Sequence, residues 1–383
     1  MERAYQAPTG TRGLSVYVCC VCGLVQSLPR IDHVADRKVA VSGGADWGNI
    51  RYGKGFRTTV AISVLQEFVD LETIHSCLDV GSNRGSFVKH IKALAPQASI
   101  LAIESDPNIV GDYSSIEGID VLVNRIEDVT LPDNTFEVVY CGHTLEHLRS
   151  PRETLRQIEK AMIPGGLLFL EVPNLEFVGR EDVVEEWFID KHLFHFLPEH
   201  LTHYLEVSGF QVEAIVPDSS LENLTCVGRK PEEPAPRFGG EMPALATKSF
   251  DLIRCYQETM AQGKSRLRKV GDTLNELLHK QRVVVWGAGR LFDVLVQIGG
   301  LNTQALQGVI DKHLVKFTSS VHGCHLKVPD DLLALNPDVV LIMSRSYFSE
   351  IQEEVHTLIP SCEVIGVVQL LDAANAEQPV TIS

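Results

Sequence analysis

The stretch Leu78-Asp79-Val80-Gly81-Ser82-Asn83-Arg84-Gly85 decides how this chain is read, because an apolar strand over 74–80 runs directly into Asp-x-Gly-x-x-x-Gly. Gly81 lets the backbone turn with no Cβ in the way, and Gly85 opens the next helix where the main chain must approach a ligand closely. Amides at the start of a helix suit a carboxylate. A backbone turns in this way around the charged tail of a cofactor, although a pair of glycines between strand and helix also serves purely structural turns.

The sequence beyond the turn weighs against the purely structural reading. A second apolar strand over 100–103 ends at Glu104, and an acid at the tip of a second strand suits the two hydroxyls of a ribose. Arg125-Ile126-Glu127-Asp128 then precedes LPDNTFEVVYC, in which Pro132, Asp133 and Asn134 are turn residues and 136–141 is a buried-strand run. The turn after that run is placed to face an adenine. Leu145-Glu146-His147 leads into a helix over about 151–162, closed by Pro164-Gly165-Gly166 and followed by the strand LLFLEVPN.

With LDVGSNRG, AIESDP, RIEDVTLPDNTFEVVY, HTLEHL and MIPGGLLFLEVPN standing in this order, the sequence resembles the class I S-adenosylmethionine (SAM)-dependent methyltransferases over roughly residues 60–230. The resemblance implies an α/β, Rossmann-like core. It also implies that Gly81, Ser82, Asn83 and Gly85 hold the methionine end of SAM, that Glu104 with Ser105 takes the ribose, and that Ile126 and Glu127 border the adenine. Asp79 is expected to order the loop or reach the amino group.

Composition fits such an enzyme. The chain has 383 residues, enough for two or three domains with real cores. Its 34 basic against 50 acidic side chains give a net charge of −16, which argues against nucleic acid as a partner, since phosphate binding depends on Lys and Arg. No apolar run approaches the ~20 residues of a membrane helix and no hydrophobic signal core is visible, so membrane insertion is not expected and the expected address is the cytoplasm. Nine scattered cysteines suit reduced thiols.

The domain reading follows composition and pattern. Residues 1–58 form an N-terminal segment with the Cys-x-x-Cys-Gly knuckle at Cys19 and Cys22, and with GGADWGNIRYGKG as a lid loop. The knuckle is half of a zinc ribbon, for which only Asp32 and His33 suggest themselves as further ligands, and no metal is assigned. The methyltransferase domain is expected at 59–230, closed by strands in GFQVEAIVP and LTCVGRKP, and a Pro-rich linker at 231–245. Beyond it, 246–383 begins with a long helix whose buried face carries Leu252, Tyr256, Met260, Leu267, Val270, Leu274 and Leu278. RVVVWGAGRLFDVLVQIGGL then repeats the strand-glycine-helix arrangement, with Asp311 at the tip of the following strand, and marks a second, C-terminal Rossmann-like α/β domain.

The third glycine of a dinucleotide fingerprint is missing there, with Phe292 or Asp293 where a small residue belongs. GVIDKHLVKF, GCHLKVPDDL and NPDVVLIMSRSYFSEI resemble the C-terminal domain of the sugar C-methyltransferases, in which such a unit helps to hold a nucleotide-sugar and binds no NAD. That family also carries an N-terminal ribbon ending in Cys-x-x-Cys-Gly. The shared order of three domains makes a sugar or nucleotide-sugar the leading acceptor class, for C- or O-methylation. Where the family has Tyr-His-Glu-His, this chain has Ile189-Asp190-Lys191-His192, so only the histidine is kept.

The sulfonium of SAM already activates the methyl group, leaving the protein to align the acceptor and remove a proton. Histidine is the natural proton acceptor near neutral pH. Of His143, His147, His192 and His195, His192 is the expected catalytic base, and His147 is expected to have a structural or cofactor-positioning role. Two other classes stay open: a NAD-dependent oxidoreductase or epimerase using the C-terminal glycine loop, and a methyltransferase-like binding protein without turnover.

Overall fold

The structure is a computed structural model that describes residues 2–6, 15–28, 55–107, 110, 112–178, 187–188, 192–217, 222–233, 244–316, 318–344 and 347–374. Asp32 and His33, the lid loop before Gly55, most of the linker, and Ile189, Asp190 and Lys191 lie outside the described residues. The chain forms two compact units, Met1–Val178 with Trp187–Arg254, and a second made chiefly of Cys255–Ser383.

The first unit begins with β1 (Glu2–Gln6), β2 (Ser15–Val18) and β3 (Val25–Leu28), which make a four-stranded antiparallel sheet with the later two-residue strand β9 (Phe194–His195). Residues 15–28 therefore belong to the same unit as the methyltransferase-like core. That core is a seven-stranded sheet of β4 (Ser76–Val80), β5 (Ser99–Glu104), β6 (Ile119–Val123), β7 (Phe136–Gly142), β8 (Met162–Pro173), β10 (Gln211–Pro217) and β11 (Asn223–Arg229). The spatial order is β10-β11-β8-β7-β4-β5-β6, parallel from β8 through β6, with β11 inserted antiparallel between β8 and β10. A doubly wound sheet with its last strand reversed in this slot is the class I methyltransferase fold. Strand order reverses at β4, the place where such sheets bind ligands beyond the carboxyl ends of their strands.

The central strands are apolar on both faces because helices cover both. Leu78, Val139, Leu168 and Leu170 pack with Leu155 and Ile158 of α3 (Pro151–Ala161) and with Leu201 and Leu205 of α4 (Pro198–Ser208). Their neighbours Cys77, Val138, Leu167 and Phe169 turn the other way, onto Ala61 and Leu65 of α1 (Phe56–Leu65) and Phe87, Val88 and Ile91 of α2 (Ser86–Leu94). The alternation is the period of two that a pleated strand imposes. One boundary differs from expectation: Pro164-Gly165-Gly166 lies inside β8 and does not close the helix. Positive φ at Gly165 and its amide bond to Lys230 O carry the strand through the expected turn.

The second unit contains most of α5 (Ala246–Leu278) and a six-stranded sheet of β12 (Val283–Trp286), β13 (Gly308–Ile310), β14 (Ser320–Val321), β15 (Cys324–Lys327), β16 (Val339–Ile342) and β17 (Glu363–Gly366), ordered β14-β15-β13-β12-β16-β17. It is parallel except at β14, so it is a second α/β sheet. Leu267, Val270 and Leu274 of α5, Phe292 and Leu295 of α6 (Arg290–Gln297) and Leu371 of α9 (Val367–Ala373) share one core with Val283, Val285 and Leu341. Leu332 of α7 (Asp331–Leu335) and Val355 of α8 (Phe348–Leu358) meet the opposite face. Along α5 the buried residue near the start is Ile253, with Leu252 half-buried, while the other expected positions are buried. No helix among the described residues is long and apolar enough to cross a membrane.

Candidate active site

The turn from β4 into α2 is built by two glycines with left-handed backbone, Gly81 at φ 80° and Gly85 at φ 71°. A Cβ on Gly81 would collide with Thr144 Oγ1, and one on Gly85 would run into the ring of Tyr113, which is fully buried beneath the turn. Four amides of the turn point back into the fold: Gly81 and Ser82 donate to Ile103 O, Asn83 to Glu104, and Gly85 to Ser82 O. The first-turn amides of α2, which no intrahelical carbonyl can reach, are what the turn has to offer an anionic group. Ser82 is buried, its Oγ 2.9 Å from the Tyr113 hydroxyl.

Glu104 closes β5 and is 7% exposed. One of its oxygens accepts the Asn83 amide at 2.8 Å and the other accepts the Asp106 amide at 2.8 Å and the Ser105 hydroxyl at 3.4 Å. The acid thus ties the glycine turn to the next loop. Glu104→Ala removes that tie, and SAM affinity should fall by about 1.5–3 kcal/mol, measured by isothermal titration; unchanged affinity would remove Glu104 from the donor site.

Asp79 is completely buried one residue before the end of β4, and neither carboxylate oxygen has a hydrogen-bond partner among the described residues. Burial, reinforced by the nearby charge of Glu104, pushes its pKa well above the ordinary carboxylate range. An uncompensated buried carboxylate is costly, and a cation brought beside it would relieve the cost. The amino group of SAM is such a cation, so the donor set fits this cofactor.

Ile126 is buried in the core, at the start of the short 3-10 turn Ile126–Asp128. Both oxygens of Glu127 are bonded within the protein: one accepts the Arg149 amide at 2.6 Å and the Ser150 amide at 3.2 Å, and the other faces the guanidinium groups of Arg125 and Arg149.

Beyond β7 lies a cluster of buried charge. His143, at φ 48°, stands between two carboxylates, its Nε2 2.8 Å from Glu171 at the carboxyl end of β8 and its Nδ1 3.4 Å from Glu146. Burial disfavours a charge on His143, yet the two carboxylates prevail and raise its pKa. Burial likewise opposes ionisation of Glu146, but His143, His147 and His192 around it hold its pKa down to about 2. Glu171 is also held low, by His143 and by Arg57 3.9 Å away, against the effect of burial. Thr144 joins this cluster to the glycine turn through hydrogen bonds from its hydroxyl to Val80 O and Gly142 O, both 3.1 Å.

His192 is partly buried, its ring 4.8 Å from that of His147 in an edge-on arrangement. His195 is 3% exposed and shares a 2.9 Å hydrogen bond with Ser27. Burial, with the neighbouring His192, drives its pKa well below normal, so it stays neutral and serves the sheet. Sequence reading missed Arg57, Tyr113, Thr144 and Glu171. Only Glu171 carried a signal, a lone acid inside the apolar run LLFLEV.

At the other glycine turn, Asp311 accepts the Ala288 amide at 2.9 Å with one oxygen and the His313 and Leu314 amides with the other. The fully buried Phe292 fills the position where a dinucleotide fingerprint has a small residue. At the N-terminal knuckle, Cys19 O accepts the Gly23 amide and Cys22 O lies 2.8 Å from His200 Nε2.

Residues 54–215 match the family profile described as Methyltransferase domain, and residues 279–365 match the profile described as C2185-like, N-terminal. Among curated proteins the chain is 30% identical over 106 residues to "Probable methyltransferase ltbC" of Aspergillus luteorubrus, covering 24% of this chain and 37% of that protein. It is 27% identical over 153 residues to the ubiquinone biosynthesis O-methyltransferase of Xanthomonas euvesicatoria pv. vesicatoria (strain 85-10), covering 36% and 63%. The chain thus spans less than two thirds of the length of these curated relatives. Among solved structures, the Burkholderia thailandensis 1,6-didemethyltoxoflavin-N1-methyltransferase is similar at 14% identity and a TM-score of 0.42, over 60% of this chain and 100% of that one. By strand order and by the matched profile, residues 54–215 form a methyltransferase domain of the class I fold.

Proposed function

We propose that this protein moves a methyl group from SAM to a hydroxylated small molecule, with a sugar or nucleotide-sugar as the leading acceptor class. The observation that carries the reading is the unpartnered Asp79 carboxylate at the donor turn, linked through Thr144 to a cluster of histidines and carboxylates. Bound SAM supplies a methyl group on a sulfonium, ready for in-line transfer. Asp79 and the first amides of α2 take its amino acid end, Glu104 with Ser105 takes the ribose, and Ile126 and Glu127 border the adenine. His192 and His147 face the acceptor, and His192 accounts for removal of its proton. His143 and Glu171 fix the position of Glu146 behind them. A sugar-like acceptor rests on the three-domain resemblance read from the sequence, and a cytoplasmic address is proposed with it.

Isothermal titration with SAM, S-adenosylhomocysteine and NAD tests the donor. SAM and S-adenosylhomocysteine should bind, whereas a response to NAD alone would overturn the reading in favour of an oxidoreductase. Formation of S-adenosylhomocysteine over a panel of activated sugars tests the acceptor class. His192→Ala should lower kcat by about 10²–10⁴-fold with SAM affinity nearly unchanged; equal losses in both would mark a positioning defect.

A further inference from the structure

We infer that Glu146, His147 and His192 form a divalent-cation site on the acceptor side of the methyltransferase domain. Each side chain offers one ligand atom, and these atoms lie within 4.8 Å of one another. Two imidazoles and one carboxylate are a donor set for a borderline cation such as Zn²⁺, Mn²⁺, Fe²⁺ or Co²⁺, and they leave positions open for water or an acceptor oxygen. His147 and His192 are only partly buried, so modest rotation of their rings closes the set onto a cation at about 2.0–2.2 Å.

A second observation points to a ligand. Glu146 is 1% exposed, and its two carboxylate oxygens make no hydrogen bond among the described residues. The nearest imidazoles to Oε1 are His143 Nδ1 at 3.4 Å and His147 Nε2 at 3.9 Å, long contacts that compensate the charge and leave room for a shorter bond from the carboxylate to a cation. A group behind the set does what outer partners of metal ligands do: His143 bridges Glu146 and Glu171 and orients the inner carboxylate. His195 is excluded from the set by its bond to Ser27. The competing account is a plain histidine-carboxylate cluster with no ion. In function, this inference rests on the methyl-transfer reading and changes the part of His192 in it: the cation's open positions would take a hydroxyl oxygen of the acceptor and lower its pKa, and His192, its lone pair given to the cation, would act on that proton through the metal and not as the direct acceptor. The existence of the site does not depend on that reading.

Metal-stripped full-length protein titrated with Co²⁺ alone decides the matter. The expected result is a single Co²⁺ giving visible d–d absorption, with affinity weakened at least ~100-fold in His192→Ala and in Glu146→Gln and kept in the Cys19→Ser/Cys22→Ser double variant. S-adenosylhomocysteine binding, measured on the same samples, should stay within about twofold and shows that each variant is folded. If Glu146→Gln does not fold, His192→Ala carries the test. Absence of bound Co²⁺, or Co²⁺ affinity unchanged by His192→Ala in a protein that still takes S-adenosylhomocysteine, overturns the site. Co²⁺ held by these residues in a protein that takes no S-adenosylhomocysteine upholds the site and overturns the methyl-transfer reading instead.

Discussion

Gly85→Val should lower the free energy of unfolding by roughly 2–5 kcal/mol, the sum of a left-handed backbone imposed on a side chain and a methyl group driven into packed atoms. The backbone contribution comes from φ 71° and the packing contribution from the Tyr113 ring, which lies where the new Cβ must go. Gly55 separates the two. It also has positive φ, at 79°, but a Cβ there meets nothing within 4 Å among the described residues, so Gly55→Val should cost chiefly the backbone part, about 1–2 kcal/mol. Urea denaturation of the two variants side by side measures the difference, and equal losses would mean that Tyr113 does not buttress the glycine turn.

Asp79→Asn should act in opposite directions on stability and on binding. The folded pKa of Asp79 is raised above the unfolded value of about 3.9, so folding favours the protonated form. That advantage is fully present below the unfolded pKa and is lost as pH rises toward the folded one. Without donor, the variant should match the parent near pH 3–4 and become the more stable of the two as pH rises, with a slope of at most about 1.4 kcal/mol per pH unit. SAM affinity should fall about 10–150-fold, because its ammonium loses the buried charge it neutralises. Urea titrations at several pH values, followed by calorimetry with SAM, measure both. A variant less stable than the parent at every pH would mean that the carboxylate has a partner in the folded protein.

Much of the core was legible in the sequence because both faces of the central strands are covered. Runs such as 136–141 and LLFLEV are apolar without interruption, and the turns between them carry Gly, Asp and Asn where the backbone needs them. The start of β8 was not legible. Pro-Gly-Gly is a strong local stop signal, and pairing on both sides overrides it, with Phe136 of β7 at Met162 and with the chain at the end of β11, more than sixty residues later, through the Gly165 and Lys230 backbone bonds. The glycine turn after β4 was legible in outline but not in the direction of its amides, since that depends on Ile103 O and Glu104 arriving from the next strand. The histidine-carboxylate cluster was half visible. HTLEHL showed His143, Glu146 and His147, while Arg57, Glu171 and His192 come from distant parts of the chain, and no local pattern predicts that they meet.

The strand pairing of residues 25–28 with Phe194 and His195 has a consequence for biosynthesis. Ser27 and His195 are 168 residues apart in sequence, so at 5–20 residues per second the earlier strand emerges from the ribosome roughly 10–30 s before its neighbour exists. During that interval the nascent sheet presents an open, hydrogen-bond-hungry border. A holding chaperone, or a pause in translation after residue 195, would decide how much of the newly made protein escapes aggregation.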